Sequence, residues 1–172
     1  AVPAATVYLL AQRSRLMGLL AGPHGFRSAR ERRLGFEEAL SKAGIALPRS
    51  MIADGNYTFE SGLTAAERLL DLMPRPTAIF ASNDEMAAGV MHAARQRGLD
   101  IPKDLSIVGF DDTPVAAHVW PPLTTVRWPI ASMARSAALK LTAGLDGEQI
   151  VEEPSLFLST LIRRGSVAAP SI

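Results

Sequence analysis

Asn83 and Asp111 are the side chains in this sequence best suited to bind a small polar molecule. Each closely follows an apolar run, Thr77–Ala81 or Leu105–Phe110, that has no polar face and predicts a strand buried on both sides, as in a parallel sheet. A carboxylate accepts hydrogen bonds and a carboxamide both donates and accepts them, so the pair suits a neutral polyhydroxyl ligand better than a phosphate. The alternative interpretation is that both residues only cap helices, as Asn and Asp often do.

A predicted strand–helix–strand unit over Pro76–Asp112 positions this pair. Its helix covers Met86–Arg97, where apolar residues recur at helical spacing, and Ser82 with Glu85 predicts a capping box at the helix start. Such crossovers are nearly always right-handed, and their two parallel strands end at the same edge of the sheet. In open doubly wound sheets, ligands bind beyond the carboxyl ends of the strands. We therefore expect the two polar side chains to emerge together at a ligand-binding edge.

The rest of the chain predicts an α/β fold, a doubly wound parallel sheet with helices on both faces. Further helices are predicted at Pro3–Gln12, Ala29–Ala43, Phe59–Leu72, Thr113–Trp120 and Ile130–Ala143. Further strands are predicted at Leu16–Leu20, Ser50–Asp54, Thr124–Arg127 and Glu153–Arg163. Ser28 with Glu31 predicts another capping box, and Asp112 is interpreted as the N-cap of the short helix that follows it.

Composition places limits on the possible functions. The 172 residues are 48% hydrophobic and 20% charged, with a net charge of +1 and no cysteine, which is typical of one globular domain. The small net charge indicates that the chain as a whole is not an electrostatic binder of nucleic acid. Without cysteine it has no disulfides or thiolate metal sites. The apolar runs are too short to span a membrane and no basic leader is visible, so we expect no membrane segment and a cytoplasmic location.

Residues that could perform catalysis do not form a recognisable set. The sequence has no G-x-S-x-G elbow, phosphate loop or G-x-G-x-x-G motif, and His24, His92 and His118 lack the spacing of metal ligands. Asp111 and Asp112 could bind Mg²⁺ or act as an acid–base pair only if the strand ends between them, because neighbouring strand residues point to opposite faces. We therefore expect no catalytic residue, no metal and no cofactor.

Several segments together resemble the effector-binding domain of the lactose/galactose-repressor family of transcription regulators. They are PTAIFASNDEMAAGV, GLDIPKDLSIVGFDDTP and WPPLTTVR, with AGP and SARERRLGFEEAL upstream, in the expected order. The resemblance implies a type I periplasmic-binding-protein-like fold and covers the C-terminal part of such a regulator. It implies a C-terminal subdomain at about 15–124 and 155–172, and a crossover strand and helix at about 125–150 that belong to an otherwise missing N-terminal subdomain.

The same resemblance assigns ligand contacts to individual residues. In the family, the arginine two residues after the Ser-Ala-Arg triplet contacts the effector, and here that residue is Arg32. A guanidinium there could fork onto two adjacent sugar hydroxyls, whereas the alternative is an ordinary surface arginine. An aromatic residue of the family corresponds to Tyr57, although the loop register leaves Phe59 open. The expected ligand residues are Arg32, Tyr57, Asn83 and Asp111.

The resemblance further implies a homodimer, with Met86, Val90 and Trp120 in its interface. An exposed Trp120 before two prolines would be a costly apolar surface without a partner. The implied function is the effector-sensing and dimerising core of a bacterial transcription regulator, with a small molecule, a sugar, as effector. Operator DNA would bind only through a headpiece that this chain lacks. A sugar receptor of a periplasmic transporter shares the fold and stays open as the alternative, and a doubly wound hydrolase or phosphatase is a third hypothesis.

Overall fold

The computed structural model describes residues 2–145 and 157–170. Its helices are α1 (Val2–Ala11), α2 (Arg27–Lys42), α3 (Phe59–Leu70), α4 (Asp84–Gln96), α5 (Pro114–His118) and α6 (Ile130–Leu145). Its strands are β1 (Met17–Ala21), β2 (Ile52–Asp54), β3 (Ala78–Ala81), β4 (Ser106–Val108), β5 (Thr125–Arg127) and β6 (Thr160–Ile162). A short 3-10 helix, Arg49–Met51, leads into β2. Within these two ranges, no helix is both long and apolar enough to cross a membrane.

The main sheet of the described chain contains four parallel strands in the order β2-β1-β3-β4. The register places Leu19 opposite Ile52 on one side and opposite Phe80 on the other, and Phe80 in turn opposite Val108. The core strands β1 and β3 are buried along their whole length, as expected for a parallel sheet covered on both faces. The predicted α/β architecture is therefore confirmed.

Strands β5 and β6 form a separate antiparallel pair, and the residue before β5, Thr124, forms an isolated bridge with Val108 at the end of β4. The backbone N–H of Gly109 donates to the carbonyl of Thr124, and that of Asp111 donates to Val126, each at 2.9 Å. The segment just after β4 is thereby hydrogen-bonded to β5 and to the residue that precedes it. This contact matters below because the loop after β4 carries Asp111.

Two apolar clusters bury the two faces of the sheet. On one face, α3, α4 and α5 cover Leu20, Ile79 and Ile107. On the other face, α1 and α2 cover a layer that includes Leu19 and Phe80, and residues of β5 join this cluster. Because each buried strand presents side chains to both clusters in alternation, the sheet and its helices form a doubly wound arrangement.

Helices α3 and α4 cross at a pair of glycines. A Cβ atom on Gly62 would overlap the backbone of Met86, and a Cβ atom on Gly89 would overlap the backbone of Phe59 and Leu63. The two helix backbones can approach this closely only because neither residue has a side chain. The glycines therefore set the position of α4, whose first turn follows Asn83.

Both predicted capping boxes are wrong in detail. Helix α4 has Asn83 as its N-cap, and the Asn83 side chain accepts a hydrogen bond from the α4 backbone at 3.0 Å, so Ser82 is not the cap. Helix α2 has Phe26 at the N-cap position, and Ser28 lies inside the helix. The cap is the residue where the backbone changes from extended to helical, which residue type alone does not locate.

The C-terminal elements differ in length from the prediction. Helix α6 runs through Gly144 to Leu145, instead of ending at Ala143. The last strand is confined to Thr160–Ile162, within the predicted Glu153–Arg163, and residues 153–156 of that prediction lie outside the described residues. The proposed division of the chain into two subdomains stays a prediction.

Candidate functional site

Arg32 and Asp111 form an ion pair at the carboxyl edge of the sheet. Arg32 lies in α2 and Asp111 follows β4, and Nη2 of Arg32 is 3.0 Å from Oδ1 of Asp111. The other terminal nitrogen, Nη1, donates to the backbone carbonyl of Ser82, at the end of β3. One guanidinium thus connects α2 with the ends of two neighbouring strands. Because Arg32 is only 8% exposed, it is not an ordinary surface arginine.

Three aromatic rings surround the Arg32 guanidinium. Its central carbon lies 3.9 Å from the ring centroid of Phe110 and 5.8 Å from those of Tyr57 and Trp128. A cation over an aromatic face is attracted by the ring quadrupole, more strongly where water is excluded. The rings therefore hold the guanidinium in place and leave it little freedom to turn away from the edge.

Asn83 caps helix α4 and also holds the loop that carries Tyr57. Its Oδ1 atom accepts from the backbone N–H of Met86, while its Nδ2 atom donates to the backbone carbonyl of Tyr57 at 2.9 Å. Tyr57 has a positive φ of 73°, which is uncommon for a non-glycine residue. Asn83 therefore caps α4 and also fixes the loop that carries the Tyr57 ring, while its role as a ligand contact stays a prediction.

Asp111 is not a helix cap, because its carboxylate is directed to Arg32. Burial raises the pKa of Asp111 above its usual value, and the Arg32 charge and hydrogen bond oppose that increase. The backbone at Asp111 has a φ of 107°, a conformation that a non-glycine residue rarely adopts. Its second carboxylate oxygen leaves acceptor capacity for a hydroxyl group of a ligand.

Buried polar atoms around this edge lack well-formed hydrogen bonds among the described residues. They are the Tyr57 hydroxyl, the Ser82 hydroxyl and the indole nitrogen of Trp128. Buried polar groups are normally paired in folded proteins, and an unpaired one is costly. Two of these residues contact Arg32 through their rings and the third through its carbonyl. Of the four such atoms in the described residues, three therefore lie beside the Arg32–Asp111 pair and one, the Ser14 hydroxyl, lies before β1. Unused hydrogen-bonding capacity at the edge is expected for a site that binds a polar molecule.

The structure adds Phe26, Phe110 and Trp128 to the edge, and sequence reasoning missed all three. Phe26 is 57% exposed and packs edge-on against Tyr57, with 5.9 Å between the ring centroids. Its place in the loop after β1 is a signal that could have identified it, because such loops line the carboxyl edge. Trp128 could not be placed in this way, since it follows β5, which joins the sheet through contacts distant in sequence.

The structure shows which of the two aromatic candidates, Tyr57 or Phe59, lies at the edge. Tyr57 lies beside Arg32 at the edge, whereas the Phe59 ring packs against His92 of α4, with 5.7 Å between centroids. Phe59 begins α3 and its ring lies on the α3–α4 pair. Tyr57 is therefore the aromatic residue of the two that adjoins the candidate site.

Met86 and Val90 cannot form a dimer surface, and this prediction is wrong. Both side chains are completely buried, in the cluster between α3, α4 and the sheet. The helical pattern correctly showed an apolar face, but α3 and the sheet cover that face within the same chain. Trp120, in contrast, is 73% exposed and follows α5, which packs on α4.

The neighbouring carboxylate, Asp112, is not the N-cap of α5, because Thr113 occupies that position. Asp112 instead forms ion pairs with Arg127 and Arg164. Asp111 and Asp112 therefore contact different arginines and do not converge as a Mg²⁺ site or an acid–base pair would require. Within residues 2–145 and 157–170, no cluster of three or more His, Asp or Glu side chains could hold a metal ion.

Asp84, the first residue of α4, is a further carboxylate near the edge, and it is fully buried. It accepts hydrogen bonds from the backbone N–H of Thr113 at 2.7 Å and from the hydroxyl groups of Thr113 and Thr125. Burial raises the pKa of Asp84 to about 6, although these hydrogen bonds oppose the increase. Asp84 thus connects α4 with the loop after β4 and with β5.

Known proteins are similar to this chain in both sequence and fold. Residues 6–167 match the family model described as a periplasmic binding protein-like domain. The HTH-type transcriptional repressor CytR of Escherichia coli (strain K12) is 38% identical over 162 residues, which are 94% of this chain and 48% of the repressor. The chain therefore spans about half the length of this relative.

Two solved structures illustrate the similarity of fold. A sugar-binding transcriptional regulator of the LacI family from Escherichia coli, complexed with phosphate, has a TM-score of 0.91 and 35% identity, with coverage of 98% of this chain and 60% of that one. A dimeric Lac repressor with a C-terminal deletion and a single substitution has a TM-score of 0.91 and 31% identity, with coverage of 98% and 61%. Both similarities extend across the main sheet and the edge described above.

Proposed function

Because this chain belongs to the periplasmic binding protein-like domain family and is homologous to LacI-family regulators, we propose that it is the effector-sensing and dimerising core of such a regulator. The Arg32–Asp111 pair at the carboxyl edge of the sheet is the observation that carries this proposal. The relatives named above are transcription regulators, not enzymes or transport receptors, which favours regulation over both alternatives.

The effector that fits this edge is a neutral, hydroxyl-rich molecule such as a sugar. Arg32 and Asp111 neutralise each other, so the pair carries no net charge to attract an ion. Arginine donates, the carboxylate accepts and Asn83 does both, which matches hydroxyl groups that also donate and accept. Phe26 and Tyr57 add apolar ring surface for the carbon face of a sugar.

The second wall of the site is expected from the half of the regulator that this chain does not include. We assign about 15–124 and 155–172 to one subdomain, and about 125–150 to a strand and helix of the other. Helix α6 supports this division, since Ile130, Leu139 and Leu141 are 52%, 64% and 70% exposed. Exposed apolar side chains in such number on one helix are costly in water unless another part of the protein covers them. Operator DNA would bind through a headpiece outside this chain, and the regulator would act in the cytoplasm.

The effector is tested with the full-length regulator and a panel of D-galactose, D-ribose, lactose, maltose and cellobiose. At least one sugar should raise the melting temperature, because a ligand that binds only the folded state at a hundred times its Kd stabilises by about 2.7 kcal/mol. L-galactose is the matched control, since it has the same hydroxyl groups in the mirror-image arrangement and should have no effect. If no sugar of the panel changes the melting temperature, a sugar effector is ruled out for this site.

A dimer interface is proposed around Trp120, with the exposed parts of α4 and α5 in place of Met86 and Val90. Large aromatic residues at the centre of an interface often contribute about 2 kcal/mol or more to binding. At micromolar concentration the full-length protein should sediment with twice the chain mass. Trp120→Ser should weaken the dimer by at least about tenfold. Met73→Ser is the control, because Met73 is 94% exposed but follows α3 and is separate from this surface. A Trp120→Ser protein that dimerises like the wild type would contradict this interface.

A further inference from the structure

Asp112 is held between two arginines that come from different segments of the chain. Its carboxylate oxygens lie 2.5 Å from Nε of Arg127, on β5, and 2.6 Å from Nη2 of Arg164, after β6. The Asp112 side chain is only 6% exposed. The charges and hydrogen bonds of the two arginines outweigh the effect of burial and lower the pKa of Asp112, so the residue is ionised.

Arg164 is itself fixed by contacts with the segment that leads into β5. Its Nη1 atom donates to the carbonyl of Leu123 at 2.8 Å, and its backbone N–H donates to the hydroxyl of Thr124 at 2.9 Å. Asp112 is therefore the point where the loop after β4, the start and end of β5, and the segment after β6 meet.

The same loop adopts an unusual backbone conformation. Asp111 and Asp112 have φ values of 107° and 56°, and such conformations cost roughly 1–3 kcal/mol each unless the surroundings impose them. On the far side of the loop, Thr113 donates to Asp84 through its N–H and its hydroxyl, and Asp84 also accepts from Thr125 of β5. Ionic and hydrogen-bond contacts thus hold both ends of the Asp111–Thr113 turn against β5.

Stability alone does not explain this arrangement. Arg127 is 59% exposed, and an exposed ion pair contributes little to stability. For the more buried partners, the cost of removing charges from water offsets much of their attraction, so such pairs are weak evidence for stability and can instead fix local geometry. The element whose geometry is defined here carries Asp111, the acceptor of the candidate site. Arg127 and Arg164 pair with Asp112 and not with Arg32 or Asp111. Any effect of these two arginines on the position of Asp111 is therefore transmitted through the turn.

We propose that Asp112 is a positioning residue: with Arg127 and Arg164, it holds Asp111 in the orientation that binds the effector and ties that orientation to β5 and to the segment after β6. This inference rests on the proposed function, because it assumes that Asp111 contacts a sugar. The inference adds that the affinity for the effector depends on the position of β5 and of the segment after β6. By linkage, effector binding then favours one position of these segments, and β5 leads directly into the exposed helix α6.

The test uses the full-length regulator and the panel sugar that raises its melting temperature most, with affinity measured by calorimetric titration at a temperature where every variant is folded. Asp112→Asn should weaken binding about tenfold. Arg127→Met should weaken it at least about threefold, and since the Arg127 side chain is 59% exposed, this variant is expected to fold normally. Arg127→Lys should restore most of the affinity, because it restores the positive charge beside Asp112.

Arg163→Met is the matched control. Arg163 is the neighbour of Arg164 in sequence but packs over the ring of Tyr8, on α1, so this substitution should leave affinity unchanged. If Arg127→Met and Asp112→Asn bind the sugar as the wild type does, the positioning role is refuted while the proposed function stands. If Arg163→Met weakens binding as much as Arg127→Met, the effect is general and the positioning role is also refuted. A regulator that binds no sugar of the panel refutes the proposed function and this inference with it.

Discussion

Asp111→Asn should abolish sugar binding by the full-length regulator, with a loss in affinity of at least about a hundredfold, or roughly 2.7 kcal/mol. The amide has almost the shape of the carboxylate but carries no charge, so it loses the ion pair with Arg32 and the strong charge-assisted hydrogen bonds to sugar hydroxyls. Arg32 is also left as a buried cation without its counter-charge, next to the Phe110 ring. The measurement is the ligand-induced increase in melting temperature, followed by a calorimetric titration.

Asp71→Asn is the matched control for this experiment. Asp71 also pairs with an arginine, Arg97, at 3.0 Å, but it lies at the end of α3, away from the carboxyl edge. Its side chain is 70% exposed, and exposed ion pairs contribute little to stability. Asp71→Asn should therefore bind sugar normally. An unchanged affinity in Asp111→Asn would show that Asp111 does not bind the sugar.

Gly89→Ala should destabilise the protein by about 3 kcal/mol, although alanine is a better helix former than glycine. The added methyl group would overlap the backbone of Phe59 and Leu63 and lie close to Gly62, and backbone atoms cannot move aside as a flexible side chain can. The α3–α4 contact would have to open, displacing the start of α4 and the cap residue Asn83. Urea denaturation monitored by circular dichroism measures the loss in free energy of unfolding.

Gly25→Ala is the control for the glycine substitution. Apart from Gly25 itself and its two neighbours in sequence, no residue has an atom within 4 Å of a Cβ built on Gly25, and its backbone does not have a positive φ. Its substitution should change the free energy of unfolding by less than about 0.5 kcal/mol. If Gly89→Ala were as stable as Gly25→Ala, the close backbone contact between α3 and α4 would not exist in solution.

Part of the candidate site follows from the sequence pattern. Apolar runs without a polar face predicted the parallel strands, and parallel strands joined by a crossover helix have their carboxyl ends at the same edge. Asn83 and Asp111 therefore had to lie at one edge, as they do. The placement of Arg32 beside them came from family resemblance, because spacing alone does not distinguish it from the surface arginines of α2.

Other features of the site were not accessible in this way. Met86 and Val90 were expected at a dimer surface, but a helical pattern shows only that a face is apolar and not which element covers it. The position of Trp128 beside Arg32 requires β5 to pair with the end of β4. Asp112 was expected to cap a helix, because a single Asp before a short helix usually does so.

The sequence by itself determined the succession of strands and helices along the chain, the apolar face of helices such as α4, and the edge where polar side chains emerge. These properties depend on interactions between residues a few positions apart, which periodicity records. Only the tertiary structure decided that Asp111 pairs with Arg32 and that Asp112 joins Arg127 to Arg164. These contacts join residues 15 to 79 positions apart in the chain, so their geometry depends on how the sheet and helices pack together and not on any local pattern.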